Sequence, residues 1–309
     1  MTKIRSTDGS HIDDRRGQSG GGGGGGGFPF QIPGMGGSGG GGGGMPGLPG
    51  GLKAGGGLLG IIVLLAAVFL PKLLGAGGTG ATSQAAEVGS SGAPGQCVTE
   101  LEQIVCGVTN DVQLYWSDAL PQFFDTPYEI TETVWFTGGV STGCGQASSE
   151  TGPFYCPADH LVYIDLEFMQ QLEQMLIGQP TDLAEQYILA HEYGHHVQNL
   201  LGTNAQVQQA SQNDPGRANQ YSVALELQAD CFAGAWVGAR DVLDNPAELD
   251  EAIKAAEGVG DDRIQQRSQG RIDPESWTHG SAEQRQEWFN RGFDTGDVNQ
   301  CDTFSVANP

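Results

Sequence analysis

Basic residues are scarce in this chain of 309 residues, which has 14 Lys and Arg against 37 Asp and Glu and a formal net charge of −23. Six of the basic residues precede Glu87 and eight follow it, whereas 34 acidic residues lie from Glu87 onward. Proteins that bind nucleic acid need clustered Lys and Arg to neutralise phosphates. We therefore expect no nucleic-acid partner, and no docking of the acidic part of the chain on anionic lipid headgroups.

Closely spaced cysteine pairs are absent as well, because no C-x-x-C occurs among the six cysteines. A cysteine-based metal site is therefore not expected. All six lie beyond residue 96, and an even number confined to one part of the chain indicates disulfides formed in an oxidising compartment. We favour one pair that closes a short loop rich in Gly and Ser and one that ties the C-terminal tail to a core helix, and the third follows by elimination: Cys144–Cys156, Cys231–Cys301 and Cys97–Cys106.

One long apolar run is present, at residues 54–74, where Lys72 is the only charged residue. About 20 such residues suffice to cross the hydrocarbon layer of a membrane. A cleaved signal peptide is the alternative, but 57 residues precede the apolar core at Leu58, far more than a signal peptide carries. Because the nearby basic residues lie mainly on its N-terminal side, we expect a single-pass protein with a cytoplasmic N-terminus and its C-terminal part outside the cytoplasm.

The chain divides by composition into four parts. Residues 1–53 are so rich in glycine that we expect a disordered cytoplasmic tail, followed by the anchor at 54–74 and a flexible stalk at 75–96. Residues 97–309 show the patterning of one globular domain. Its periodicity predicts an α+β fold that is mainly helical, with two helices at 100–105 and 111–124 and strands at 128–136 and 161–165.

The stretch His191-Glu192-Tyr193-Gly194-His195 carries the spacing H-E-x-x-H. Good N-cap residues at 181–182 and a glycine at position 202 predict one helix around it. Residues four apart on a helix lie on one face, about 5–6 Å apart at Cβ, so His191 and His195 could hold a single zinc ion. Glu192, one position round, could accept the proton of a water on that metal.

A second strong helix is predicted at 217–238, where Glu226 and Asp230 lie four residues apart among Ala, Leu, Phe and Trp. Buried carboxylates need compensating partners. For Glu226 the partner would be a zinc ion, which this glutamate would bind as third ligand. For Asp230 the partner would be the N–H of a ligand histidine. Asp230 would then orient that histidine without binding the metal itself. The alternative is that both side chains face solvent.

Residues from about 109 to 304 resemble the bacterial neutral zinc metallopeptidase family. The resemblance is carried by His191-Glu192-Tyr193-Gly194-His195-His196, Glu226-Leu227-Gln228-Ala229-Asp230-Cys231, Gly152-Pro153-Phe154-Tyr155-Cys156-Pro157-Ala158-Asp159, Gly260-Asp261-Asp262-Arg263 and Thr278-His279-Gly280-Ser281. It implies a zincin-like fold, one zinc ion per chain, Glu226 as third ligand and Glu192 as catalytic acid and base. Cys97 and Cys106 depart from the family pattern.

His279 is a further candidate, because zincins often use a polar side chain from outside the two metal helices to stabilise the oxyanion. We expect this role for His279; the alternative is a loop histidine that packs against the helix following it. By analogy with the fold, the strand at 161–165 is the candidate edge along which an extended peptide substrate would bind.

The expected function is hydrolysis of peptide or protein substrates by a membrane-anchored zinc peptidase. Two alternatives stay open: a binding or scaffold domain that keeps zinc only to stabilise its fold, and a zinc hydrolase of a non-protein amide. An intact Glu192 speaks against the first, since a structural site needs no base.

Overall fold

The computed structural model describes residues 4–17, 92–178, 181–240, 242–243 and 249–307. The expected anchor at 54–74, residues 18–53 of the expected tail and residues 75–91 of the expected stalk lie outside these residues. None of the helices in the described part is long and apolar enough to cross a membrane. The architecture is mainly helical with a small mixed sheet, which agrees with the expected α+β class.

Nine helices are named here in chain order, within the described ranges. They are α1 (Glu100–Phe124), α2 (Leu166–Ile177), α3 (Asp182–Leu200), α4 (Thr203–Asn213), α5 (Ala218–Ala239), α6 (Leu249–Gly258), α7 (Asp261–Gln269), α8 (Ala282–Thr295) and α9 (Thr303–Ala307). Local sequence explains several of their starts. Thr99 and Glu102 form a capping box at α1, and Ser281 and Gln284 form another at α8.

The prediction of two helices between residues 100 and 124 is wrong, because α1 runs through both without a break. Gly107 sits inside it, where a Cβ would come within 2.9 Å of the Ile4 side chain and 3.0 Å of the Arg5 backbone. This glycine therefore permits close packing of another segment and does not end the helix.

The described strands form a five-stranded sheet and a hairpin. The sheet has the order β2-β1-β3-β7-β6, from β1 (Ile12–Asp14), β2 (Ala93–Pro94), β3 (Thr133–Trp135), β6 (Phe154–Cys156) and β7 (Leu161–Ile164). Strands β1, β3 and β7 run parallel, and β6 is antiparallel to β7. The hairpin pairs β4 (Gly139–Thr142) with β5 (Gly145–Ser148).

Three expectations about the sheet need correction. The strand expected at 128–136 is confined to β3, since residues 128–132 make no ladder. The strand expected at 161–165 ends at Ile164, because Asp165 caps α2. Residues 4–17, expected in the disordered tail, instead supply β1, whose Ile12 lies in the core at 3% exposure.

Helix α3 lies at the centre of the domain, packed against α1, α5 and α6. The core between them includes large side chains with almost no exposure, namely Trp116, Tyr187, Tyr193, Phe232 and Trp236. Disulfides join Cys97 to Cys106, Cys144 to Cys156 and Cys231 to Cys301, the pairing favoured from the sequence. The third holds the C-terminal segment against α5.

Candidate metal centre and active site

Helices α3 and α5 approach closely at the H-E-x-x-H motif. A Cβ on Gly194 would come within 3.1 Å of the Ala229 Cα, so only glycine on α3 fits comfortably there. This contact brings His191 and His195 on α3 opposite Glu226 on α5. The imidazole rings of the two histidines are nearly perpendicular, with centroids 4.8 Å apart.

The three side chains converge on one point. One ligand atom from each of His191, His195 and Glu226 lies within 4.8 Å of the others, and no other such group of three or more occurs in the part of the chain that the structure describes. The Glu226 carboxylate is 3.2 Å from His191 Nε2 and 3.6 Å from His195 Nε2. The arrangement offers two nitrogens and one carboxylate to a metal ion.

Each histidine uses its other ring nitrogen to contact the protein. His191 Nδ1 lies 2.8 Å from Asp230 Oδ1, the position expected for Asp230 from the sequence. His195 Nδ1 lies 2.8 Å from Gln198 Oε1, and the Gln198 amide in turn donates to the Leu225 carbonyl. These contacts fix both rings so that Nε2 of each faces Glu226, as ligands to a metal require.

Asp230 itself is fully buried and is compensated by Arg285 and Tyr187. Arg285 donates from Nε to Oδ2 at 2.7 Å and from Nη2 to Oδ1 at 2.8 Å, and the Tyr187 hydroxyl donates to Oδ1 at 2.5 Å. Burial alone would raise the pKa of Asp230, but the positive charges of Arg285 and His191 outweigh it and lower the pKa. The carboxylate that orients His191 is therefore ionised.

The charges of the site favour a cation between the two helices. Burial lowers the pKa of His191, yet Asp230 and Glu226 outweigh it and raise that pKa to about 10. Burial also lowers the pKa of His195, and the Glu226 carboxylate outweighs it, so that this pKa is raised as well. Two carboxylates facing two imidazoles thus require positive charge, which either extra protons or a metal ion could supply.

Glu192 is partly exposed and stands beside this cluster. Burial raises the pKa of Glu192. The charges of the two ligand histidines and a hydrogen bond from the backbone N–H of Tyr155 lower that pKa in part. Tyr155 lies on β6, at the edge of the sheet. Glu192 is therefore close to both the histidine pair and strand β6.

His279 also faces the cluster, since its charge acts on the Glu226 carboxylate. The buried Asp261 holds it: Asp261 Oδ2 accepts the backbone N–H groups of residues 278–280, and Oδ1 lies 3.2 Å from His279 Nδ1. Burial lowers the pKa of His279, but the carboxylates of Asp261 and Glu226 outweigh it, so that the pKa is raised. The carboxylates of Asp261 and Glu226 therefore favour the protonated form of the His279 ring.

His196, which follows the second histidine of the motif, is 1% exposed and lies between the Tyr155 hydroxyl and the Glu129 carbonyl. The expected substrate edge needs correction. Strand β7 cannot take an added strand, because β3 and β6 occupy both of its sides. Among the strands that the structure describes, β6 is the one at the edge of the sheet on this side.

Four contributors were not singled out from the sequence: Arg285, Tyr187, Gln198 and Asp261. Tyr187 and Arg285 could not be recognised from local sequence, because their partner Asp230 is distant in the chain. Gln198 lies one turn from His195 on a helix with several polar residues, so nothing distinguishes it from them. Asp261 lies in a segment that carried the family resemblance, so that resemblance was a usable signal for it.

Two histidines and a glutamate from adjacent helices, with a second glutamate alongside, form the donor set of hydrolytic zinc enzymes. The chain matches over residues 1–304 the family described as "Putative neutral zinc metallopeptidase", and it belongs to that family. It is 42% identical to the uncharacterized protein YpfJ of Escherichia coli K12 over 257 residues, 82% of this chain and 88% of the relative. It is 44% identical to the uncharacterized protein Rv2575 of Mycobacterium tuberculosis over 216 residues, 66% and 71% respectively. No solved structure matches the chain.

Proposed function

We propose that this protein is a zinc-dependent peptidase with a zincin-like catalytic domain, in which His191, His195 and Glu226 hold one zinc ion. The observation that carries the proposal is the convergence of these three side chains beside Glu192. The residues fit the metal: both histidines have Nδ1 engaged by the protein and Nε2 directed at Glu226, and the carboxylates favour a cation there.

A bound zinc ion supplies Lewis acidity, which polarises a carbonyl and makes water acidic enough to react near neutral pH. The chain's own residues do the remaining work. Glu192 accepts the proton of the attacking water on its carboxylate and delivers it to the amine that leaves. His279, held by Asp261, donates a hydrogen bond to the carbonyl oxygen as negative charge develops on it.

The free edge of β6 is the proposed place for the peptide substrate. An extended peptide added there would lie beside Glu192 and exchange backbone hydrogen bonds with β6, which has one unpaired side among the described strands. The tyrosine at position 155 joins this strand to the site, because its backbone N–H contacts Glu192. Main-chain recognition of this kind suits a peptidase, since it is indifferent to most side chains.

The extracytoplasmic location remains a proposal that rests on the three disulfides, which persist in oxidising compartments. Attachment to a lipid bilayer through the apolar run at 54–74 is likewise a proposal from the sequence. Peptide or protein substrates and no nucleic acid are the expected partners, in keeping with the acidic domain.

Removing the metal tests the proposed function directly. We expect the purified full-length chain to hold one equivalent of zinc, measured by elemental mass spectrometry, and to cleave a fluorescently labelled unfolded protein. A chelator should abolish cleavage and lower the Tm, because a ligand bound only to the folded state stabilises it; added zinc should restore both. Zinc at one equivalent with no cleavage would favour the scaffold alternative, and cleavage unaffected by complete metal removal would refute the metal centre.

Replacing His279 with Ala should lower kcat by about 10²–10³-fold, the usual loss when one donor to an oxyanion is removed. The KM should change less. Because the protonated ring is the donor and its pKa is raised, kcat should fall as pH rises through a value above the ordinary histidine pKa of about 6.5. That limb should be absent in His279→Gln, which keeps a donor without titrating.

The matched control is His160→Asn, at an exposed histidine with φ +65°, a conformation that asparagine tolerates. It should leave kcat unchanged. Unaltered turnover in His279→Ala would refute the oxyanion role and leave His279 as a structural loop residue.

A further inference from the structure

The N-terminal segment, residues 4–17, is built into the domain as an inner strand. Its β1 lies between β2 and β3, with Ile12 opposite Thr133 and Asp13 opposite Pro94. Backbone hydrogen bonds extend the pairing on both sides: Thr133 N–H donates to the His11 carbonyl at 2.9 Å, and Gly95 N–H donates to the Ile12 carbonyl at 3.1 Å. Without this segment, β3 would lose one of its two neighbours.

Charged side chains of the segment are matched by the acidic domain. Arg16 lies 2.7 Å from the Glu102 carboxylate at the start of α1 and stacks over Trp135, with 4.5 Å from the guanidinium carbon to the ring centroid. Arg5 bridges Glu100 at 2.5 Å and Asp182 at 3.1 Å. Asp182 is the first residue of the metal helix α3, so the segment contacts the element that carries His191.

The domain surface is shaped to receive the segment. Gly107 of α1 leaves room for Ile4, and a Cβ on Gly9 would come within 2.0 Å of the Gly95 carbonyl oxygen. The Arg15–Asp13 ion pair, at 2.6 Å, is buried with both side chains under 10% exposed. Because both partners of this ion pair are buried, this part of the segment lies inside the domain and not on its surface.

Residues 17 and 92 flank the stretch that contains the apolar run. If that stretch crossed a membrane once, its two flanks would lie on opposite sides, and β1 could not pair with β2 and β3. A neighbouring copy would not resolve the conflict, because its own N-terminus would also lie on the far side. The sheet and a single crossing are therefore mutually exclusive.

We propose that residues 4–17 and the catalytic domain lie on the same side of the membrane, outside the cytoplasm, and that the apolar run at 54–74 does not act as a single crossing between them. The interaction surface is the slot between β2 and β3, and its occupant is the chain's own N-terminal segment. This topology replaces the cytoplasmic N-terminus expected from the positive charges, because those arginines are used to bind the acidic domain. It is independent of the peptidase proposal, and its test needs no activity.

Labelling of single introduced cysteines in the full-length chain tests the shared side. Thr7→Cys reports on the segment and Val98→Cys on the domain; both positions are exposed. The six native cysteines are paired in disulfides. With a membrane-impermeant maleimide on intact cells, we expect both variants to be labelled before lysis to a similar extent.

A cytoplasmic marker protein that stays unlabelled until lysis is the control for membrane integrity. Labelling of Thr7→Cys only after lysis, with Val98→Cys labelled before it, would overturn the proposal. Labelling of both only after lysis would overturn the extracytoplasmic compartment while supporting the shared side.

Crosslinking tests whether the slot is filled. The Asn110 amide of α1 lies 3.4 Å from the Ser6 hydroxyl, so Ser6→Cys with Asn110→Cys should be joined by a short bis-maleimide within one chain, seen as a linked peptide pair by mass spectrometry. A crosslinked dimer would show that a second copy supplies the strand, which would overturn the intramolecular occupant. Absence of any crosslink, with both cysteines individually reactive, would overturn the docking itself.

Discussion

Glu192→Gln should retain zinc and fold but lose about 10²–10⁴-fold in kcat, the usual contribution of a positioned general acid and base. Glutamine has the shape of glutamate and keeps an oxygen that can accept the Tyr155 N–H, but it cannot accept a proton. Cleavage of the unfolded protein substrate, zinc content and Tm should be measured on the same preparation.

The matched control is Glu185→Gln on the same helix. Burial, followed by the charge of Asp182, raises the pKa of Glu185 to about 8, so that its side chain is neutral at pH 7 and glutamine imitates it. This control should keep its turnover. A Glu192→Gln variant as active as the parent would refute the proton-transfer role, and one that lost its zinc would place Glu192 in the metal site instead.

Local sequence was sufficient for the parts of the site that repeat with helical periodicity. His191 and His195 share a face of α3, and Glu226 and Asp230 share a face of α5, so spacing alone placed each pair. The meeting of the two helices was inferred from chemistry, because buried carboxylates and histidines need compensation. The close contact between α3 and α5 at Gly194 could not be predicted, because the sequence shows only a glycine within a helix.

What could not be predicted depends on contacts between distant positions. Arg285 lies 55 residues beyond Asp230 on a polar helix, and the residues around it do not indicate that it is buried. The sheet order is equally hidden, so that β7 appeared to be an edge while β6 forms it. Strand β1 is three residues in a segment of low hydrophobicity, and only its partners across the fold make it a strand.

Arg285→Leu should have the largest effect on stability, because it leaves the buried Asp230 carboxylate without its main compensating charge. Breaking a buried ion pair from one side costs about 3–5 kcal/mol in the free energy of unfolding. Zinc affinity should fall by about 10–100-fold as well, since Asp230 orients His191. Denaturant unfolding and competition with a zinc-binding dye measure the two effects.

The pH dependence of the loss follows from the lowered pKa of Asp230. In the parent protein this carboxylate contributes stability above its unfolded pKa of about 3.9, and the contribution is lost as pH falls through the lower folded value. In Arg285→Leu the buried Asp230 carboxyl binds a proton more readily, so lowering the pH removes the buried charge and part of the destabilisation. The difference in unfolding free energy should therefore narrow as pH falls towards 4.

Two further variants separate stability from positioning. Arg291→Leu makes the same change on the same helix, at a side chain 40% exposed in a surface ion pair with Glu287, and should cost no more than about 1 kcal/mol. Asp230→Leu with Arg285→Leu removes both charges and should recover much of the lost stability. It should not recover zinc affinity, because His191 Nδ1 would still lack its acceptor; recovery of both together would show that the pair only maintains the fold.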